Sequence, residues 1–517
     1  MSLLRSASVV GFFTLLSRIL GFVRDVLTAA VLGAGWVNDA FVVAQRFPNL
    51  FRSLFAEGAF SAAFVPLFSK AHAVEGPEAA RRFAMTAQVL LASVLLVFSI
   101  AVVIWMPLLM GGVAAGFQDD ATKFAFTIEL ARITFPYLLF MGLCALYAGV
   151  LTAMGRFAAP AAAPILLNIM LIGALVAAHI ADVDQATTGR FLAWALVVSG
   201  GLQLLWMIAA AKRAKILLPF RFYGITPRVK QFFALTVPGA MSAGVTQINV
   251  LVGTIIATHQ ASAASYLYYA DRLYQLPLGV VGIAVGMVLL PALSQRFAHN
   301  DDVGARMALN RAVEFAMFLT LPCAVALYVV PLEIIVPLFE RGAFDRTASY
   351  ETARALSFFA MGLPAYVLIK VLTPAYFARE DTKTPLIYAS CSVATNIIGS
   401  LILFPLIGHV GIAMATALAA WVNVSLLIWT LKRRGDFGLD ADSKVRLVRM
   451  ALSCVGLMAM ALLVSSMLAK HFDAGGLPSV ISIAVLVVLS GGVYLVLTIS
   501  LKAITPQQIL GALRRRG

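Results

Sequence analysis

Eight basic residues of this chain lie inside long apolar stretches and not in the loops between them. An arginine at the centre of a bilayer costs about 2.5–3.5 kcal/mol on insertion scales. Arginine also keeps its charge in proteins, so it does not avoid that cost by losing a proton. We therefore expect such residues to face a hydrated cavity or a charged partner. The eight are Arg18, Arg24, Arg46, Arg52, Arg132, Arg272, Arg354 and Lys370.

The guanidinium group indicates the chemistry of the cargo. Its planar fork of N–H donors binds carboxylate and phosphate oxygens bidentately. The pattern predicts a transporter whose cargo carries phosphate, diphosphate or carboxylate. Arg18 and Arg52 lie near the middle of their apolar segments, which favours a functional role over an interfacial one.

Other members of the set have simpler interpretations. Arg132 and Arg354 lie near the starts of their segments, where a long side chain can extend to the interface. Lys370 is open to the same interpretation or to a structural pairing. Arg24 has the adjacent Asp25 as a pairing candidate, although neighbouring residues of a helix diverge by about 100°.

Helix-breaking residues accompany the first two segments. Gly11, Gly21 and Gly33 punctuate the first segment, and we expect them to loosen its helix and aim both of its arginines at one cavity. Pro48 lacks an N–H, so it leaves the carbonyl of Ala44 free and bends the second segment. Irregular backbone at membrane depth is tolerated only beside protein or water. We expect the first, second and eighth segments to line one central cavity between two lobes.

The composition is that of an all-α polytopic membrane protein. Of 517 residues, 61% are hydrophobic and 12% charged, and the mean hydropathy is +0.93. Uncharged runs of about 20 apolar residues are long enough to cross the bilayer core as helices. Fourteen spans are predicted, at 8–32, 38–68, 84–113, 126–153, 160–180, 190–211, 230–257, 264–295, 311–337, 352–377, 385–405, 410–431, 446–469 and 478–501.

The loop charges indicate the orientation. Twenty-six basic residues fall in one alternating set of loops and only five in the other. Basic residues collect on the cytoplasmic side of membrane proteins, so both termini are predicted to be cytoplasmic. The net charge of +15 is explained by this topology, and no nucleic-acid partner is expected.

An internal repeat divides the chain. The sequence around Arg46 is repeated around Arg272 at an offset of 226, and Pro160 is repeated at Pro385 at an offset of 225. Six predicted spans separate the copies, which is typical of a parallel repeat. The predicted organisation is a six-helix lobe at 1–218, a second six-helix lobe at 225–435, and two additional helices with a basic tail at 445–517.

The first two segments resemble a known family. The runs that carry the resemblance are SRILGFVRD at 17–25, NDAF at 38–41, PNLFR at 48–52, FAEGAFS at 55–61 and FVP at 64–66. They closely resemble the MurJ (MviN) lipid II flippases of the multidrug/oligosaccharidyl-lipid/polysaccharide exporter superfamily. The fourteen spans, two lobes and two extra helices fit that family along the whole chain.

The resemblance implies a function and a set of residues. Members of the family move the undecaprenyl-diphosphate-linked peptidoglycan precursor from the cytoplasmic to the periplasmic leaflet of the bacterial inner membrane. The arginines of the family's cavity match Arg18, Arg24, Arg52 and Arg272, and Arg46 is added because the repeat aligns it with Arg272. Its important acids match Asp39 and Glu57, and Asp25 is included as an acidic or gating residue.

The partners and energy source follow from the same resemblance. Lipid II and membrane lipids are the expected partners, and a monomer without a resident cofactor is expected. Coupling is left open between a sodium ion and the membrane potential, because no metal ligand can be assigned. Although Asp381 lies near the family's sodium region, the match does not extend to individual ligands.

Three other functions compete with this one. A flippase for another polyprenyl-diphosphate-linked oligosaccharide would also need basic residues, but not the FAEGAFS run. A multidrug cation antiporter would need a net acidic cavity, whereas the charges in these spans are net basic. A membrane-embedded enzyme would need a cluster of carboxylates or histidines, which the sequence lacks, so no catalytic activity is expected.

Overall fold

The computed structural model describes the backbone of residues 3–56, 59–299 and 301–504. Side chains are described over 8–53, 60, 63–236, 244, 247–279, 289–299 and 301–504. Within these ranges every regular element is helical. The elements are α1 Leu3–Leu32, α2 Trp36–Ala56, α3 Ala59–Val74, α4 Pro77–Ile104, α5 Met106–Val113, the 3-10 helix η1 Ala115–Phe117, α6 Ala121–Thr134, α7 Tyr137–Ala153, α8 Ala158–Ile180, α9 Gln185–Arg213, α10 Pro227–Ala257, α11 Ala263–Ala298, α12 Asp302–Val329, α13 Pro331–Phe339, α14 Arg346–Phe377, α15 Lys383–Ile407, α16 His409–Arg433, α17 Ala441–Asp473 and α18 Gly476–Ser500.

Ten helical segments of the described part are long and apolar enough to cross a membrane. They are α4, the consecutive pair α6–α7, α8, α9, α12 and α14 to α18. This confirms an all-α polytopic membrane protein, while the count of fourteen stays a prediction. Leu401, Ile402 and Leu406 on α15 are among many exposed apolar side chains on these helices, as expected of a surface that faces lipid.

The chain folds into two compact units, residues 1–265 and 266–517. In the first unit α1 packs on α8, α8 on α9, and α2 on α6, α7 and α10. In the second unit α16 packs on α14 and α15, and α12 packs on α14 and α17. Helix α10 packs on α2 and α3 in the first unit, although the repeat assigns its residues to the second lobe. The lobe limits at 218, 225 and 435 stay predictions.

Polar caps fix several helix starts. The Asp184 side chain accepts hydrogen bonds from the backbone of Ala186 and Thr187 at 3.1 and 3.3 Å. The hydrogen bond from the Thr187 hydroxyl is the main cause that holds the pKa of Asp184 below its usual range. Asp440 caps α17 by accepting from the Ser443 backbone at 2.6 Å, and hydrogen bonding to Ser443 lowers the pKa of Asp440. These caps satisfy N–H groups that have no partner within their helices.

Two expectations about the first segments need correction. The first segment is not loosened at its internal glycines, because α1 continues as a regular helix through Gly11 and Gly21. It ends where Gly33 adopts a φ of +64°. The single bent span predicted at 38–68 is resolved into two helices, α2 and α3, with residues 57–58 outside the described part.

The two additional helices form part of the second unit. Helices α17 and α18 pack on each other, and α17 packs on α12. Their shared core contains Met450, Cys454, Leu457 and Tyr494 around Phe318, and the Tyr494 hydroxyl donates to the Phe318 carbonyl at 2.9 Å. This core attaches both helices to the second unit through α12.

Candidate substrate-binding site

Arg24 is held by two acceptors on different helices. Its Nη2 lies 2.7 Å from Oδ1 of Asp25, and its Nη1 donates to Oδ1 of Asn168 at 3.1 Å. The Asn168 amide, on α8, also donates to the Ser17 carbonyl at 2.9 Å. Asp25 and Asn168 are both buried, and the Arg24 side chain is 17% exposed. Arg24 therefore does pair with its neighbour Asp25, contrary to the geometric argument against that pair.

The α8-facing stripe of α1 consists of Ser17, Gly21 and Arg24. All three approach Asn168, and a Cβ at Gly21 would meet that side chain at an ordinary 3.7 Å. Arg18 lies off this stripe and is exposed. Six residues of a continuous helix separate Arg18 from Arg24, which is about 9 Å along the axis and 120° around it. Helix α1 alone therefore does not aim both guanidinium groups at one point.

Helices α2 and α10 share a polar seam. Arg46 Nη1 donates to the hydroxyl of the buried Thr254 at 2.6 Å. Seven residues further along α2, Ser53 accepts a hydrogen bond from Gln247 Nε2 at 2.9 Å. The two rungs are seven residues apart on each helix, in opposite directions, so α2 and α10 run antiparallel along the seam. Arg46 is thus oriented by a helix that is more than 200 positions away in the chain.

Proline frees a carbonyl in α2, as predicted. Pro48 lies inside the helix and cannot donate to the Ala44 carbonyl. The hydroxyl of Thr134, on α6, lies 3.3 Å from this carbonyl and 3.3 Å from the Ala131 carbonyl, so it can donate in place of the missing N–H. One turn after Pro48, Arg52 is half-buried, and its Nε donates to Oδ1 of Asn49 at 2.7 Å.

Arg24 and Arg52 share an electrostatic neighbour. Tyr137, buried on α7, lies within electrostatic range of both guanidinium groups. The first unit therefore brings these two predicted site arginines to one region between α1, α2 and α7. Since phosphate oxygens are good bidentate acceptors, this region suits an anion with several oxygens.

Asp39 is completely buried at the start of α2 and has four donors. Oδ2 accepts from Lys123 Nζ at 2.7 Å and from the Ser262 backbone at 2.9 Å. Oδ1 accepts from the Ser265 backbone at 3.0 Å and from its hydroxyl at 2.7 Å. Asp39 thus links α2 and α6 to the first residues of α11.

Lys123 was not singled out by the sequence. It is 7% exposed, and its ammonium lies 3.9 Å from the centroid of the Phe117 ring. Beside it, the Gly116 backbone donates to the Thr258 hydroxyl at 3.1 Å, in the connection between α10 and α11. A Cβ at Gly116 would lie 2.4 Å from that backbone, so only glycine fits this approach.

Arg272 and Glu57 stay predictions as members of this site. Arg272 lies on α11 in the second unit, where its guanidinium stands 4.7 Å from the Tyr268 ring centroid. Glu57 lies outside the described residues. The cavity predicted between two lobes stays a prediction.

The three basic residues that could extend to the interface make local contacts or are exposed, and that extension stays a prediction. Arg132 is exposed and donates to the Val103 carbonyl at 3.2 Å. Arg354 pairs with Glu351 one turn earlier on α14 at 2.9 Å. Lys370 is exposed.

Metal coordination is not evident in the described ranges, where no three His, Cys, Asp or Glu side chains are grouped to hold an ion. The sodium or membrane-potential coupling stays a prediction.

The family model described as "Lipid II flippase MurJ" matches residues 28–483. The chain belongs to the lipid II flippase MurJ family. The matched range includes Asp39, Arg46, Arg52 and Arg272, while the run at 17–25 lies just before it.

Individual MurJ relatives agree with this assignment. A probable lipid II flippase MurJ of Rhizobium tropici is 48% identical over 436 residues, 84% of this chain and 82% of the relative. The lipid II flippase MurJ of Burkholderia cenocepacia is 35% identical over 469 residues, 89% of this chain and 90% of the relative.

Solved structures support the MurJ fold. A lipid II flippase MurJ in an inward closed conformation matches with a TM-score of 0.79 and 26% identity, over 95% of this chain and 97% of that one. An inward-facing multidrug resistance MATE family transporter of the MOP superfamily matches with a TM-score of 0.67 and 13% identity, over 81% of this chain and 94% of that one. The second likeness concerns the fold alone, so the family match, and not the fold, separates this chain from cation antiporters.

Proposed function

We propose that this chain is a lipid II flippase, which moves the undecaprenyl-diphosphate-linked peptidoglycan precursor from the cytoplasmic to the periplasmic leaflet by alternating access. The observation that carries the proposal is the match to the MurJ family over residues 28–483. A flippase for another polyprenyl-diphosphate-linked oligosaccharide is the alternative, and it differs only in the headgroup.

Arginines of the first unit supply the chemistry for a diphosphate. Arg24 and Arg52 lie near one buried tyrosine, and their forks match phosphate oxygens. Asn168 orients Arg24, whose side chain stays 17% exposed. The family resemblance adds Arg272, which lies on α11 in the second unit.

The lipid tail has a different environment. Exposing its CH₂ groups to water costs about 0.8 kcal/mol each, so a C55 chain stays in the hydrocarbon while the diphosphate crosses. Helices α17 and α18 expose apolar side chains, including Met467, Leu477 and Val488, and we assign the tail to their surface.

Orientation and energetics complete the proposal. Both termini are cytoplasmic, the protein acts as a monomer in the inner membrane, and no catalytic step is involved. Moving one charge across 100 mV is worth roughly 2.3 kcal/mol, so the membrane potential or a sodium gradient supplies a sufficient bias.

A leaflet-accessibility assay in cells depleted of this protein tests the cargo. The lipid-linked precursor is expected to accumulate on the cytoplasmic side, out of reach of an externally added probe. An unchanged distribution between the leaflets would refute the proposal. Accumulation of a different polyprenyl-linked oligosaccharide would favour the alternative.

Substitutions test the site separately from the cargo. Arg24→Ala is expected to abolish flipping with normal insertion, and Arg24→Lys to restore little, because lysine keeps the charge but loses the fork. Arg190→Ala is the matched control, since Arg190 is exposed and pairs with Glu129 at 2.6 Å. Normal flipping by Arg24→Ala would exclude Arg24 from the site.

A further inference from the structure

The connection between α9 and α10 exposes apolar side chains outside any helix. Residues 215–226 contain no helix or strand, unlike the spans, where exposed apolar side chains face lipid. Phe220 is 64% exposed, Phe222 53% and Ile225 58%. A soluble loop would not retain such a surface without a partner.

The same segment and the last turn of α9 are strongly basic. Lys212, Arg213, Lys215 and Arg221 are exposed, and no acidic residue occurs anywhere between Asp184 and Asp271 in the sequence. Aromatic rings interleaved with basic side chains are typical of a surface that lies in the membrane interface.

Internal contacts hold the segment in place at two points. Arg81 Nε donates to the Leu217 carbonyl at 2.9 Å, and the Leu218 side chain is buried. Further on, the Tyr223 backbone donates to the Thr86 hydroxyl at 3.2 Å. Residues 219–222 are therefore presented between two fixed points on the first unit.

Acidic groups nearby are already engaged. Glu75 forms an ion pair with Arg228, whose hydrogen bond is the main cause that lowers the pKa of Glu75. Glu78 lies within 3.8 Å of Arg81 and 3.5 Å of Arg82. The local surface thus keeps an excess of positive charge.

We propose that residues 212–226 form an anchor that binds the anionic phospholipid headgroups of the cytoplasmic leaflet, with Phe220 and Phe222 inserted between them. The inference rests on the proposed orientation and not on the identity of the cargo. Headgroup phosphates complement the basic side chains, and the two rings enter the boundary between headgroups and acyl chains. Each basic residue near an anionic surface strengthens such binding about five-fold.

Hydrogen exchange of the full-length protein in nanodiscs tests the anchor. Backbone amides of 215–226 are expected to exchange at least ten-fold more slowly in phosphatidylglycerol-containing nanodiscs than in pure phosphatidylcholine. The difference should shrink as salt is added, because the contacts are screened. Equal exchange in the two lipids would overturn the proposal.

Variants assign the effect to this segment. The exchange ratio is the rate in phosphatidylcholine nanodiscs divided by the rate in phosphatidylglycerol-containing nanodiscs. Replacing the four basic residues of the anchor, Lys212, Arg213, Lys215 and Arg221, by Gln should bring this ratio close to one. Phe220→Ser with Phe222→Ser should reduce the ratio while the charges remain. A control variant loses four positive charges elsewhere on the predicted cytoplasmic side and should leave the exchange ratio unchanged. Its substitutions are Lys383→Gln, Lys432→Gln, Arg433→Gln and Lys444→Gln.

Two further outcomes would contradict the anchor. A ratio lost equally in the control would indicate a general charge effect. Slower exchange only after a soluble cytosolic fraction is added to phosphatidylcholine nanodiscs would assign the segment to a protein partner. Precursor flipping by each variant is measured in parallel, so failure of the anchor is distinguishable from failure of the proposed cargo.

Discussion

Replacing Asp39 by Asn removes one charge of a buried pair. The carboxylate has no exposed surface, and its Oδ2 lies 2.7 Å from the ammonium of Lys123, which is itself 7% exposed. Breaking such a pair leaves an uncompensated charge and costs about 3–5 kcal/mol. The Asn side chain also carries an NH₂ group in place of one carboxylate oxygen. That NH₂ group would face hydrogen-bond donors, because the present partners of Asp39 all donate to it.

A double variant separates the ion pair from other effects. Lys123→Met alone leaves a buried carboxylate without its counter-ion, so it is also expected to destabilise strongly. Asp39→Asn combined with Lys123→Met should cost about 1–3 kcal/mol less than the sum of the single changes, because no unpaired charge remains.

Thermal unfolding in detergent measures these effects. At about 2–4 °C per kcal/mol for a unit of this size, Asp39→Asn should lower Tm by at least about 6 °C. Glu129→Gln is the matched control, because its pair with Arg190 is exposed and such pairs contribute about 0–1 kcal/mol. Similar Tm shifts for the buried and exposed pairs, or strict additivity in the double variant, would refute the reasoning.

Three further changes test local features of the first unit by the same unfolding assay. Thr134→Val removes the donor to the Ala44 carbonyl and should cost about 1 kcal/mol, whereas Thr134→Ser should not. Gly116→Ala places a Cβ 2.4 Å from backbone and should cost about 1–3 kcal/mol, whereas Gly112→Ala, with nothing within 4 Å, should be neutral or stabilising. The pKa of Asp184 is lowered in the folded protein, so its stabilisation is present above the unfolded-state pKa and is lost as pH falls below about 3.8. Asp184→Asn should therefore make the fall of Tm at acid pH less steep. An unchanged fall of Tm would contradict the role assigned to this cap.

The sequence identified the arginines that are energetically costly to place in a membrane, but it did not identify their hydrogen-bond partners. An arginine in an apolar run is visible in one dimension, because its cost depends only on its neighbours along the chain. Asn168 and Thr254 are 144 and 208 positions from the arginines that they bind, so only the fold brings them together. An isolated amide in the apolar run of α8 was an available signal, since buried amides need partners.

Pro48 leaves the Ala44 carbonyl without its helical donor, as predicted, whereas the expectation that internal glycines loosen α1 is wrong. Because proline has no N–H, α2 loses one hydrogen-bond donor at Pro48. Where α2 packs on α6, the Thr134 hydroxyl can donate to the Ala44 carbonyl instead. Gly21 only permits an irregular conformation, and close packing on α8 keeps it helical. Lys123 was counted among the loop charges, because its burial follows from the placement of Asp39 and not from its own surroundings in the sequence.

In the proposed flippase, we expect Asn168 to link the binding of an anion at Arg24 to the packing of α1 on α8. Arg24 has a charged acceptor in Asp25 and a neutral one in Asn168. Hydrogen bonds to charged acceptors are roughly twice as strong as neutral ones, so a phosphate oxygen replaces Asn168 before it replaces Asp25. The same amide donates to the Ser17 carbonyl, so its displacement weakens a contact between α1 and α8.

This reasoning predicts faster hydrogen exchange in α1 when a soluble lipid-diphosphate analogue is added to the proposed flippase. The Asn168→Leu variant lacks the contact from the start, so its exchange should already be fast and should not respond to the analogue. Asn423→Leu removes a buried amide from α16 in the second unit and should respond as the unsubstituted protein does. Unchanged exchange of α1 in the unsubstituted protein, with the analogue bound, would show that anion binding and the α1–α8 contact are independent.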